Sequence, residues 1–174
     1  IASLSGTALS VGSGRPNTIN LVQIFYGLSD ELTEKKYLNL LKKRTTLCCK
    51  VLDRVRHIIG RNIEKGLLPN YCDGGIEMDK QYCTVGILGL YETMEKFGYI
   101  ETDEFGNKFY TENGMEFAGK IFDVLNDTKD NFTDEYSFNI ESVPAEQAAV
   151  KLCAKDNILF DVHDNFIYSN QRIP

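Results

Sequence analysis

The chain has 174 residues, 43% of them hydrophobic, with 19 basic and 25 acidic side chains and a formal net charge of −6. That length suits one ordinary domain with its own core, and the interspersed charges include no basic run long enough to follow a nucleic acid backbone. No apolar stretch approaches the ~20 residues needed to span a bilayer, and the opening Ile-Ala-Ser-Leu-Ser-Gly lacks a charged signal-peptide head, so the expected partners include no membrane and the expected location is cytoplasmic.

Residues Ile1 to Gly14 are rich in serine and glycine and read as loop. Asn17 to Phe25 is apolar and β-branched with an embedded amide, the pattern of a buried parallel strand that starts only after Pro16. Asn20 is then a polar group in an apolar strand, and burial obliges it to find a partner or a ligand. Ser29 to Lys65 predicts a long amphipathic helix, capped by Ser29 and stopped by Gly66, with Leu38, Leu41, Cys48, Leu52, Val55, Ile59 and Ile63 as its buried stripe. At ~1.5 Å per residue it would exceed 50 Å, long for a compact small domain.

Leu67 to Met78 reads as a turn and a short extended piece, and Thr84 to Gly98 as a second helix. Gly86 and Gly89 inside that helix would each cost ~1 kcal/mol relative to alanine, which points to close backbone packing or a nearby ligand. Asp103 to Lys108 is a surface turn, Thr111 to Asn126 a third helix capped by Thr111, and Asp127 to Asp134 a polar loop.

The five cysteines are Cys48, Cys49, Cys72, Cys83 and Cys153. An odd number, with no Cys-x-x-Cys and only two distant histidines, argues against a disulfide framework and against a zinc site, so no metal is expected in this chain. Cys48, Cys49 and Cys153 fall in helical patterns and read as core, whereas Cys72 and Cys83, which flank a Gly-Gly turn, keep a redox role open. His57 and His163 read as packed or surface residues rather than ligands.

Tyr136 to Leu152 carries the most chemistry. Phe138, Ile140 and Val143 favour an extended strand, and Pro144 suits the first turn of a helix that continues through Ala145, Glu146 and Gln147 to about Asp156. The unpaired N–H groups and positive dipole end of such a helix receive phosphate well. By period two, Asn139 and Glu141 share one face of the strand and Tyr136 points to the other unless a bulge intervenes. An extended pair around Ile158 to Phe160 and Phe166 to Ser169 completes an alternation of strands and helices, the signature of an α/β fold.

Four blocks, Gly12-Ser-Gly-Arg-Pro-Asn-Thr-Ile-Asn-Leu21, Gln81-Tyr-Cys-Thr-Val-Gly-Ile-Leu-Gly-Leu90, Asn139-Ile-Glu-Ser-Val-Pro-Ala-Glu-Gln-Ala-Ala-Val-Lys-Leu152 and Tyr168-Ser-Asn-Gln-Arg-Ile-Pro174, resemble the anaerobic (class III) ribonucleoside triphosphate reductases, which are glycyl radical enzymes. The resemblance implies part of a ten-stranded α/β barrel, with residues 1–174 as the C-terminal portion of the catalytic barrel domain and residues 1–14 as the return limb of its finger loop. Two departures stand out: Arg15-Pro16 where the family has small or β-branched residues, and Val22-Gln23-Ile24 where Pro-Arg-Ile is expected.

The implied activity is reduction of ribonucleoside triphosphates to deoxyribonucleotides by radical chemistry without oxygen. The resemblance places the radical cysteine, the structural zinc cysteines and the glycyl radical loop outside this chain, and so implies that the chain alone is inactive. It also implies formate or a thiol protein as reductant, a radical SAM activating enzyme, allosteric nucleotides and a homodimer. Asn20, with Asn17 as competitor, would stand beside the ribose. Glu141 would accept a proton there, Tyr136 and Asn139 would orient the sugar or formate, and Pro144, Ala145, Glu146 and Gln147 would cradle the triphosphate. The bland alternatives are a strand amide for Asn20 and a helix cap or Lys151 partner for Glu141. A non-catalytic association module on the same barrel, or another glycyl radical enzyme, are the competing functions.

Overall fold

The computed structural model describes residues 12–28, 33–142, 146–162 and 168–169. Strand β1 (Gly12–Asn20) runs directly into helix α1 (Leu21–Tyr26), and the long helix α2 (Glu34–Glu64) follows. After the short α3 (Pro69–Cys72) come β2 (Gln81–Leu88), α4 (Leu90–Lys96), the hairpin β3 (Ile100–Thr102) and β4 (Lys108–Tyr110), α5 (Glu112–Asp130), β5 (Phe138–Ser142) and α6 (Glu146–Phe160). Among the described residues β1, β2 and β5 form a parallel sheet in that order, with β2 central. Parallel neighbours require long crossovers, supplied here by α2 and by α4 with α5. The class is α/β, as expected.

Several boundaries differ from the sequence reading. The Asn17 to Phe25 segment is strand only to Asn20, because Asn20 caps a helix: its Oδ1 accepts from the Gln23 N–H at 3.2 Å. At the other end β1 already begins at Gly12, and a register shift between Ser13 and Arg15 carries it past Pro16, which among the described residues lies on a strand with a single paired neighbour. The helix expected over Thr84 to Gly98 is instead β2 followed by α4. Cys83, Val85 and Ile87 are buried on one face while Thr84 and Leu88 are buried on the other. A strand covered on both sides reads as a continuous apolar run, so periodicity does not separate it from a helix.

Helix α2 is shorter than expected, capped by Thr33, whose Oγ1 accepts from the Lys36 N–H, while Ser29 lies outside the described residues. Gly66 ends it as anticipated, at φ +68, with its N–H and that of Leu67 bonded back to Ile63 and Asn62. Thr111 caps α5, which continues to Asp130 through part of the expected polar loop. Ile158 to Phe160 is the last turn of α6 and not a strand; residues 163–167 lie outside the described set.

Helices α2 and α5 cover one face of the sheet: Tyr37, Leu41, Cys48, Cys49 and Leu52 from α2 and Phe117, Ile121 and Leu125 from α5 meet Cys83, Val85, Ile87 and Phe138. On the opposite face, at the carboxyl ends of β1 and β2, α6 brings Ala149 and Cys153 against Val22, Leu88 and Tyr168. Among the described residues no helix is long and apolar enough to cross a membrane.

Candidate functional site

Strand register decides which side chains meet. Thr18 pairs with Gly86 and Gly86 with Glu141, while Pro16 pairs with Thr84 and Thr84 with Asn139. Since alternate residues share a face, Asn20, Thr18, Thr84, Gly86, Asn139 and Glu141 all lie on the face away from α2. From strand spacings of ~4.8 Å and a rise of ~3.3 Å per residue, the backbones of Asn20 and Glu141 stand about 12 Å apart, so their side chains can reach opposite sides of one small molecule. Gly86, itself buried, sits between Thr18 and Glu141 and places no side chain between them.

The polar groups of this face are already ordered. Thr84, fully buried, has its Oγ1 2.7 Å from Ser13 Oγ and 2.7 Å from Asn139 Oδ1, which ties the three strands together. Glu141 is partly buried and makes no hydrogen bond or ion pair, with Lys151 or any other group, among the described residues. Of the expected phosphate cradle, Pro144 and Ala145 lie outside the described residues; Glu146 and Gln147 open α6 and are both exposed.

Asn20 is buried, and both ends of its amide are engaged. Oδ1 takes the Gln23 N–H, and Nδ2 donates to Asp156 Oδ2 at 2.7 Å. Asp156, fully buried on α6, also accepts from Gln23 Nε2 at 3.0 Å and from the Tyr168 hydroxyl at 3.0 Å. Burial, and then the Asp156 carboxylate, pushes the Tyr168 phenol well above its ordinary range, so it stays a donor. Asn17, the competitor, lies on the helix side, where its carbonyl accepts from Cys48 Sγ.

Tyr136 stands apart from this group. It faces α2, as the period-two reading placed it, with its hydroxyl donating to Asp53 Oδ1 and the Arg56 guanidinium 4.5 Å over its ring. Arg56 itself donates to the carbonyls of Met78 and Gln81. A role beside a substrate on the opposite face does not follow from this position.

Sequence reasoning missed Asp156, Glu92 and the Tyr168–Ser169 pair. Glu92, buried in the first turn of α4, accepts from the Ser169 N–H at 2.8 Å and its hydroxyl at 2.7 Å, while Gly89 N–H donates to the Ser169 carbonyl. A buried acid on the apolar side of a helix was the available signal, since Asp156 falls three residues after Cys153 and seven after Ala149. The thiols are quiet: burial lifts Cys48 to about 12 and Cys49 to about 11, and raises Cys83 although Arg56 opposes it. Cys72 is exposed, and among the described residues no group of three or more His, Cys, Asp or Glu could hold a metal.

Residues 3–173 match the family model described as anaerobic ribonucleoside-triphosphate reductase. No curated protein matches the chain by sequence. Among solved structures, the anaerobic ribonucleotide reductase from Thermotoga maritima with glycerol in the active site is 37% identical, with a TM-score of 0.90 over 100% of this chain and 29% of that one. The same organism's enzyme in complex with dATP and CTP is 37% identical, with a TM-score of 0.90 over 99% of this chain and 29% of the other. A third structure, with dATP bound in the specificity site, matches at 37% identity and a TM-score of 0.87 over 94% of this chain and 28% of that one. The chain therefore spans less than a third of the length of these relatives. With the family model covering nearly every residue, the chain belongs to the anaerobic ribonucleoside-triphosphate reductase family.

Proposed function

We propose that this chain supplies one wall of the substrate pocket in a reductase of ribonucleoside triphosphates, as the C-terminal portion of a catalytic barrel. The observation that carries it is the register: Asn20, Asn139 and Glu141, from two strands flanking β2, lie on one face beside a helix whose first two residues are exposed. The related enzyme crystallised with dATP and CTP lends support to a nucleotide as ligand.

In this reading Asn20 and Asn139 hydrogen-bond the ribose hydroxyls, and Glu141 accepts the 3′-hydroxyl proton as the sugar reacts. The backbone N–H groups at the start of α6, those of Glu146 and Gln147, meet the triphosphate, so geometry matters there more than side-chain identity. Tyr136 acts as a strut for the sheet. A glycyl radical and its cysteine partner outside this chain, with formate or a thiol protein as reductant, would supply hydrogen-atom chemistry. A radical SAM activating enzyme, a homodimer, allosteric nucleotides and a cytoplasmic location belong to the same proposal.

The test compares CTP turnover and CTP affinity, by calorimetry, for the longest natural polypeptide carrying this chain and its Glu141→Gln variant. A lost proton acceptor should cost about 100-fold or more in kcat while the affinity moves less than about threefold. Full turnover by the variant would remove Glu141 from the chemistry. A non-catalytic association module draws on Leu47, Val51 and Ile58, which stand exposed on α2. Absence of CTP binding to the unaltered polypeptide would favour it.

A further inference from the structure

We propose that Asp156 is a positioning residue: it holds the Asn20 amide in one orientation and so acts on the substrate through Asn20 without touching it. The inference rests on Asn20 being a ribose-facing group.

Asp156 occupies the sheet-facing stripe of α6, in series with Ala149 and Cys153, where an aliphatic side chain would pack at lower cost. It is fully buried, and among the described residues no lysine, arginine or histidine pairs with it. Three neutral donors satisfy it instead: Asn20 Nδ2 at 2.7 Å and the Tyr168 hydroxyl at 3.0 Å on Oδ2, and Gln23 Nε2 at 3.0 Å on Oδ1. A buried carboxylate so arranged is strained by any donor that leaves, and correspondingly restrictive toward those that stay.

The restriction falls on Asn20 in a defined way. Its Oδ1 must face the Gln23 N–H, because an amide nitrogen there would set donor against donor, and its Nδ2 must face Asp156 for the same reason. One Nδ2 proton is then spent on the carboxylate, and the other is the single side-chain donor Asn20 has left for a ligand. Gln23 donates its backbone N–H to the Asn20 cap and braces Asp156 with its side chain, so α1 and α6 hold the two ends of the amide. Asn20 and Asp156 are 136 residues apart in sequence, which makes the geometry of the strand dependent on a helix laid down at the other end of the chain.

The plain alternative is that Asp156 only ties α6 to the sheet. A double-mutant cycle in the longest natural polypeptide carrying this chain separates the two, with CTP as substrate and kcat and KM read separately. Asp156→Asn puts an amide among three donors; it should lower kcat at least about tenfold with KM within about threefold, and should cost nothing further once Asn20 is alanine. Kinetic losses that multiply in the double variant, or a wild-type kcat for Asp156→Asn, would overturn the proposal. Should Asp156→Asn fail to fold, Gln23→Met leaves the carboxylate in place but unbraced; its smaller kcat loss must likewise vanish in the Asn20→Ala background, and additivity there overturns the idea. Wild-type turnover by Asn20→Ala alone would instead strike the underlying reading of Asn20.

Discussion

The Tyr136 hydroxyl donates to Asp53 Oδ1 at 2.6 Å, across the helix-covered face of the sheet. That contact fixes the lead-in to β5 against α2 and leaves Asn139 and Glu141 to point the other way. Tyr136→Phe keeps the ring beneath Arg56 and removes only the hydroxyl. It should destabilise the protein by about 1 kcal/mol in denaturant titration, with CTP affinity unchanged. A loss of nucleotide binding without a loss of stability would contradict this placement.

Gly89 joins β2 to α4 at φ +81, and a Cβ there would stand 2.6 Å from Val22 Cγ2. Val22 is itself fully buried and has nowhere to retreat. Gly89→Ala therefore combines left-handed strain with overpacking and should cost roughly 2–4 kcal/mol. A fall in thermal midpoint is the readout; an unchanged midpoint would mean that the turn relaxes.

Glu92 holds Ser169 by two hydrogen bonds, one from the backbone and one from the hydroxyl. Glu92→Leu strands the Ser169 N–H, which should speed its amide hydrogen exchange by about tenfold or more. Glu92→Gln should stay near wild type, because the serine hydroxyl can turn and accept from the new amide while the remaining oxygen keeps the N–H. Equal exchange in both variants would show that Glu92 does not hold this segment.

Burial raises the pKa of Tyr37, Tyr136 and Tyr168 above the ordinary tyrosine value, with Asp53 and Asp156 adding to the last two. A phenol kept neutral in the native state but free to ionise when unfolded contributes fully below pH 10.0, its ordinary value. The contribution is lost progressively as pH climbs above that, because only the unfolded state releases the proton. Stability should thus be insensitive to these groups at neutral pH and fall steeply in alkali. Absorbance titration should show a late-ionising subset of tyrosines that appears together with unfolding; their smooth titration in the folded protein would contradict the burial argument.

What the sequence determined by itself was local. The caps at Thr111 and the stop at Gly66 follow from side-chain and backbone geometry within one turn, and the alternation of Asn139 and Glu141 against Tyr136 follows from the pleat. The four sequence blocks likewise gave the family and the α/β class. Tertiary structure decided the rest. Whether Thr84 to Leu88 is helix or strand depends on cover from both sides, and a run buried all round carries no periodicity to reveal it. Which amide faces the candidate site depends on register, which put Asn20 opposite the side taken by Asn17. Asp156 was invisible as a partner of Asn20 because hydrogen bonding between groups 136 residues apart is created by packing α6 onto the ends of β1 and β2, and no local pattern encodes that closure.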